Sequence, residues 1–329
     1  MSEHQGRPWG YWTRLKLAIL AEYLPAFLLA SAGKSTEFVY LDAFAGEGLG
    51  IDRLTGEEFN GSARIALETN EAGGFTRLRY FERAAKAKEL QDRLVADYPG
   101  RDIKVYGGDC NAEIPKALSE LRHLNWAPTF AFVDPDGMEL AWRTLECLAD
   151  HKRGYRSSGS SKPEYKVELW LLFPTQGLIR TLALNEDKLR PADEDRATKL
   201  YGTDAWREIY DRRVAGTLSA PEAREEYVNL MRWRLTDDLG YAKTHPFELR
   251  NTRGGTVYHM IFATDNEAGE RIMTDLYAKT AKLVPAMQQE AKDRAKGQGT
   301  LDLGDVVFDA PGYEYEPPWE PPTPDGVGS

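Results

Sequence analysis

Two cysteines in 329 residues, Cys110 and Cys147, are too few for a disulfide framework, and they lack the C-x-x-C spacing of a metal or redox site. Five histidines, His4, His123, His151, His245 and His259, show no metal-ligand spacing either, so no metal is expected, and His259 within an apolar run reads as a core residue. Positive charge is also short. Against 52 Asp and Glu stand 42 Lys and Arg, a net charge of -10, which disfavours non-specific coating of nucleic acid and leaves open only a local basic patch. No G-x-S-x-G elbow or comparable nucleophile motif appears, which gives hydrolase chemistry little support. The start, MSEHQGRPWGYWTRLK, has no apolar signal core, and no uninterrupted apolar run reads as long enough to span a membrane. The expectation is a cytoplasmic protein without a membrane segment.

What is present is alternation. A helical pattern fills Tyr11 to Ala32, with Leu15, Ile19, Leu20, Tyr23, Leu24, Phe27 and Leu28 near the 3.6 period, and Gly33 ends it. Five short apolar runs follow, separated by helix-length stretches: Phe38 to Leu41, Leu78 to Phe81, Ile103 to Tyr106, Phe130 to Val133 and Val167 to Phe173. Strands alternating with helices in this way predict βαβ units and a mainly parallel sheet covered on both faces. A polar loop, 153–163, precedes the fifth strand. A helical insertion is expected at about 176–240. PFELR and TVYHMIFAT, joined by NTRGG, then form an antiparallel hairpin, and a last helix runs to Lys296. Residues 1–296 thus read as one domain. The Pro-rich, acidic stretch 297–329 is expected to be a disordered or extended, solvated tail. A seven-stranded, mostly parallel sheet ending in one antiparallel hairpin is the layout of an α/β, Rossmann-like class I methyltransferase.

The stretch LDAFAGEG, 41–48, carries the chemistry. Asp42 ends the first run, and Gly46 and Gly48 leave the following turn without Cβ atoms where a ligand must approach the backbone. A carboxylate at Asp42 repels the pyrophosphate of a nicotinamide cofactor but pairs with the ammonium of a methionine moiety, which favours S-adenosylmethionine. The second run ends in Glu82, placed either to accept from ribose hydroxyls or to cap a helix. The third leads to GGDCN, where Asp109, with Cys110 beside it, is either an acceptor for the adenine amine or an N-cap. The fourth ends in DPDG. There Asp134, Pro135 and Gly137 are placed at the methyl acceptor, with Asp134 orienting or deprotonating it. The aromatic residue that follows Asp-Pro-Pro in many amino-methylating enzymes is missing here, replaced by Asp136 and Gly137. Lys16 and Arg180 are weaker candidates for holding an anionic substrate.

Taken together, KLAILAEYL, YLDAFAGEG, NGSARIAL, YFE, FVDPDG, LLFPTQGLIR and YHMIFATDNEAGERIM resemble the three-Cys-motif partner protein family (TcmP) over roughly residues 10 to 290. The resemblance implies a class I methyltransferase-like fold, S-adenosylmethionine as cofactor and association with a radical-type, phage-like three-cysteine protein. It assigns Asp42, Gly46 and Gly48 to the cofactor loop, Glu82 to the ribose, Asp109 to the adenine side, and Asp134, Pro135 and Gly137 to the Asp-Pro-x-Gly element. Gly61 and Ser62 match a Gly-Ser pair of adenine-methylating ribosomal RNA enzymes, whose next residue is proline; here it is Ala63. The implied activity is methyl transfer to an unidentified acceptor, the alternative a non-catalytic or cofactor-sensing partner subunit.

Overall fold

The computed structural model describes residues 8–9, 11–52, 56–152, 165–182, 184, 189–251, 254–295 and 313–321. In chain order the strands are β1 (Pro8–Trp9), β2 (Val39–Asp42), β3 (Leu49–Asp52), β4 (Glu58–Asn60), β5 (Arg77–Glu82), β6 (Ile103–Gly107), β7 (Thr129–Val133), β8 (Glu168–Phe173), β9 (Lys243–Arg250) and β10 (Thr256–Thr264). The helices are α1 (Tyr11–Ala32), α2 (Ser62–Glu68), α3 (Ala84–Asp97), α4 (Cys110–Glu120), α5 (Trp142–Asp150), α6 (Thr175–Thr181), α7 (Pro191–Tyr201), α8 (Trp206–Val214), α9 (Ala220–Asp237) and α10 (Glu267–Ala295).

Seven strands form one sheet in the order β6-β5-β2-β7-β8-β10-β9. The first five are parallel, and β10 runs antiparallel to both β8 and β9. Residues 252–253, within the turn joining β9 to β10, lie outside the described residues. The period-2 alternation of the central strands sorts their side chains into two cores. Val39, Leu41, Ala131, Val133, Leu169 and Leu171 pack on one face with α4, α5 and α7 to α9. Tyr40, Phe130, Phe132, Trp170 and Leu172 pack on the other with α1, α2, α3 and α10. Each fully buried Leu or Phe contributes about 1.5–3 kcal/mol, so both faces of the sheet have to be covered. The helices α6 to α9 between β8 and β9 cover the first face.

Arg14, Lys16 and Glu22 interrupt the apolar stretch of α1, yet Trp12–Ala32 is long and apolar enough to cross a membrane by length and composition. The fold explains its hydropathy in another way: Leu20, Tyr23, Leu24 and Leu28 of α1 are wholly buried, and α1 packs against α10 and α2.

A second, three-stranded sheet, order β1-β3-β4, has no counterpart in the sequence reading. Gly50 in β3 makes room for a neighbour, since a Cβ there would overlap the Phe59 ring of β4. Arg14 of α1 ties this sheet down through Asp52 at 2.9 Å.

The solvated-tail expectation fails for residues 313–321. This stretch is extended but docked: Tyr313 lies edge-on to Tyr277, Tyr315 is 4.3 Å from the His245 ring, and Trp319 exchanges two backbone hydrogen bonds with the Asn229 amide at 2.8 and 3.0 Å. Arg232 donates to the Glu316 carbonyl. Composition predicted solvation, but the Tyr313 ring packs on Phe247 and Tyr277, the Tyr315 ring lies against His245, and the buried Asn229 and Arg232 side chains find backbone groups, while the Trp319 ring itself stays exposed. The rest of 297–329, like loop 153–163, lies outside the described residues.

Candidate functional site

Because β6, β5, β2 and β7 are adjacent and parallel, their carboxyl ends open on the same edge of the sheet, where α/β sheets bind ligands. Register fixes the lateral order. Glu82 stands opposite Gly107 of β6, and Asp42 opposite both Tyr80 of β5 and Phe132 of β7. Over these ends lies a cleft of about 460 Å³, within the range of cofactor sites.

Gly46, Glu82, Asp109, Cys110 and Asp134 line this cleft together. Gly46 has φ +63°, a left-handed conformation that a side chain would strain, and a Cβ there would meet no protein atom within 4 Å. Its backbone is therefore open to close approach. Glu82 accepts from the Arg83 backbone N–H at 2.9 Å. Asp109 is the N-cap of α4, accepting from the Asn111 N–H at 3.0 Å and its side-chain amide at 2.8 Å. Cap and cleft position coexist in this residue, since a carboxylate has several acceptor sites. The same Asn111 side chain holds the far wall through the Glu139 carbonyl, the Ala141 N–H and the Thr144 hydroxyl. Burial pushes the Cys110 thiol up to about 12, so it lines the cleft as a neutral group.

Six carboxylates line the cleft, Glu47, Glu82, Asp109, Asp134, Asp136 and Glu139, against three cations, Lys16, Arg83 and Lys86. Lys86 pairs with Glu47, Lys16 with Asp134, and Arg83 approaches Asp136 at 3.8 Å. Among the described residues Glu82, Asp109 and Glu139 have no ion-pair partner, so the cleft favours a ligand that is positively charged or rich in donors.

Asp42 stands elsewhere. It is fully buried and is not part of the cleft wall. Its oxygens accept from the Phe44 N–H and the Tyr40 hydroxyl, both at 3.3 Å, and from the Ser62 hydroxyl. Burial pushes its carboxyl up to about 7, against the lowering effect of these hydrogen bonds, with nearby Asp134 adding to the rise. The residue braces the turn from beneath rather than presenting a free carboxylate to an ammonium. Gly48 likewise serves packing: its φ is +76°, and a Cβ would press on Leu90 of α3 at 3.3 Å. Pro135 lies with Asp134 in an adjoining smaller pocket. Gly137 lines neither cavity, and its N–H donates to Glu139 at 2.7 Å. Arg180 is also outside both, whereas Lys16 is in both.

Among the described residues no three His, Cys, Asp or Glu side chains are grouped to hold a metal. His259 is held by the Thr175 hydroxyl at 2.7 Å.

No protein-family model matches the chain, and no characterised protein matches it. Among solved structures, protein LPL1258 from Legionella pneumophila str. Philadelphia 1, of family DUF519, is similar at 13% identity with a TM-score of 0.43, over 80% of this chain and 90% of that one. A likeness at that level carries no argument about function.

Proposed function

We propose that the chain is an S-adenosylmethionine-dependent methyltransferase with a Rossmann-like class I fold. One observation carries the reading. Glu82, Asp109 and Asp134, at or just beyond the carboxyl ends of the adjacent strands β5, β6 and β7, line a single acidic cleft together with the glycine turn at Gly46. The strand order, with one antiparallel strand inserted beside the last parallel one, supports the same reading.

In this reading Glu82 accepts the ribose hydroxyls, and Asp109 and Cys110 flank the adenine. The backbone at Gly46 receives the methionine side, while Asp42 holds that turn in shape. The cofactor supplies a methyl group on a cationic sulfur, which suits a cleft with excess carboxylate. Asp134 orients the acceptor and takes its proton. Calorimetric titration of S-adenosylmethionine and of its demethylated product tests this: saturable binding is expected, with affinity reduced at least tenfold by Glu82→Ala, on the scale of lost charged hydrogen bonds. Absence of heat for both ligands at high micromolar protein would sink the reading.

The Lys16–Asp134 pair favours a second reading, a docking subunit for a three-cysteine radical-type protein, because the acid assigned to the acceptor is already neutralised within the chain. Co-purification with such a protein, together with no methyl transfer to any acceptor, would establish it.

A further inference from the structure

The pocket beside the cofactor cleft is small and unusual in composition. It shares Lys16, Asp134 and Asp136 with the cleft, and its other walls include the rings of Trp12 and Tyr258 and the side chain of Leu249. Trp12 and Lys16 are four residues apart on α1 and so lie on one face of the helix. Tyr258 comes from β10, far away in sequence. The motif at 134–137 lacks an aromatic residue, and these two elements bring aromatic rings to the same place.

Volume decides which group the pocket takes. At about 40 Å³ it has room for one group the size of a water molecule or an ammonium, and not for a purine ring. Carboxylates beside aromatic rings are the surroundings that hold an alkylammonium, by charge-assisted hydrogen bonds and by attraction to the ring faces. Lys16 stands in the wall of this pocket and holds one of its carboxylates. The Lys16 side chain is only 8% exposed, and its ammonium meets the Asp134 carboxylate. An ammonium has three donors, and among the described residues Asp134 is the one acceptor that Lys16 meets. A buried charge satisfied this incompletely can be replaced by a ligand that satisfies it better.

We propose that this pocket is a binding site for an alkylammonium group, its Asp134 carboxylate held by Lys16 in the free chain and taken over by a ligand amine. Resting on the methyl-transfer reading, it names the acceptor class as an aliphatic amine: Asp134 would take one ammonium proton, the freed nitrogen lone pair would form the N–CH3 bond as the S–CH3 bond of S-adenosylmethionine breaks, and the neutral thioether would leave.

The probe is n-butylammonium, with n-butanol as the neutral control, observed by saturation-transfer NMR. Lys16→Ala opens a space as long as the lysine stem, so n-butylammonium is expected to bind this variant at least tenfold more tightly than the wild type, and n-butanol to bind neither. Equal binding of n-butanol would mean only an apolar hole, and no binding to Lys16→Ala would also overturn the proposal. Should that variant fail to fold, Tyr258→Leu in the otherwise wild-type chain is expected to weaken n-butylammonium binding about fivefold while Tyr258→Phe retains it; equal binding by all three overturns the aromatic seat. A second arm offers tritiated S-adenosylmethionine with Nα-acetyl-lysinamide or with adenosine. Label in the lysinamide supports the acceptor class, and label in adenosine alone defeats it. No binding of S-adenosylmethionine defeats the methyl-transfer reading, while the NMR result still judges the ammonium site.

Discussion

Lys16 and Asp134, 118 residues apart in sequence, meet as an ion pair at the boundary between the large acidic cleft and the small aromatic pocket. Both side chains are largely buried, 8% and 16% exposed, so the pair is held by geometry as well as charge. Removing one partner of such a pair leaves the other charge stranded, at a cost of about 3 kcal/mol. Asp134→Asn is therefore expected to lower the urea midpoint, and Lys16→Met combined with Asp134→Leu to recover most of the loss. In the methyl-transfer reading Asp134→Asn keeps cofactor affinity within a few-fold but slows turnover about 100-fold. An Asp134→Asn variant that turns over at the wild-type rate would reject the role given to this acid.

Asp109 separates a cap from a ligand contact. Asp109→Ala loses the side chain that accepts from Asn111 at the start of α4 and should cost about 1 kcal/mol. Asp109→Ser keeps a capping oxygen and should melt near the wild-type temperature, yet in the methyl-transfer reading bind S-adenosylmethionine several-fold more weakly. If the serine variant binds the cofactor as well as the wild type does, the residue is a cap alone.

Gly50 tests the small sheet. Its backbone needs no glycine conformation, so the cost of Gly50→Ala comes from overlap with the Phe59 ring. About 1–3 kcal/mol of destabilisation is expected by chemical denaturation, with most of it recovered in Gly50→Ala/Phe59→Leu. No recovery in the double variant would show that the two residues do not share this space.

Two buried carboxyls make stability depend on pH. Burial raises Asp42 and Glu168 each to about 7, so between roughly pH 4 and 7 the folded chain holds protons that the unfolded chain has lost. Each contributes stability that is present at low pH and lost as pH rises through 7. His151, His245 and His259, pushed down to about 4 chiefly by burial, act in the opposite sense between about pH 4 and 6.5, so the whole-protein curve mixes the two. The difference between wild type and Asp42→Asn isolates the acid: the substitution should cost more at pH 5 than at pH 8, by up to a few kcal/mol, or about 1.4 per pH unit within the window. A pH-independent difference would place the Asp42 carboxyl in its ordinary range.

The docked segment predicts a cost for shortening the chain. Ending it at residue 312 removes Tyr313, Tyr315 and Trp319 from their partners and leaves the buried Asn229 amide without the Trp319 backbone. A loss of about 2 kcal/mol or more is expected, with faster proteolysis near α9. Asn229→Ala should reproduce part of the loss in the full-length chain but add nothing to the shortened one. Unchanged stability on truncation would show that the segment lies on the surface without supporting it.

The sequence by itself determined the layered α/β plan and which strand ends carry acids. Five apolar runs lie within a residue or two of β2, β5, β6, β7 and β8, because buried parallel strands need short runs of apolar residues bounded by helix-forming stretches. Glu82, Asp109 and Asp134 share one cleft because adjacent parallel strands end on the same edge of the sheet. Which way each acid faces was decided only in three dimensions. Asp42 falls on the Tyr40 side of β2, beneath the turn, and D-x-x-x-G-x-G spacing does not carry that parity. The small sheet escaped notice because strands of two to four residues, one with a central glycine, show almost no periodicity. The docked tail escaped because its groove is assembled from residues of α9, β9 and α10 that lie at least 36 positions before it in sequence, Asn229, His245 and Tyr277. Lys16 reads as one more charge on an apolar helix, and only packing α1 over the end of β7 gives it Asp134.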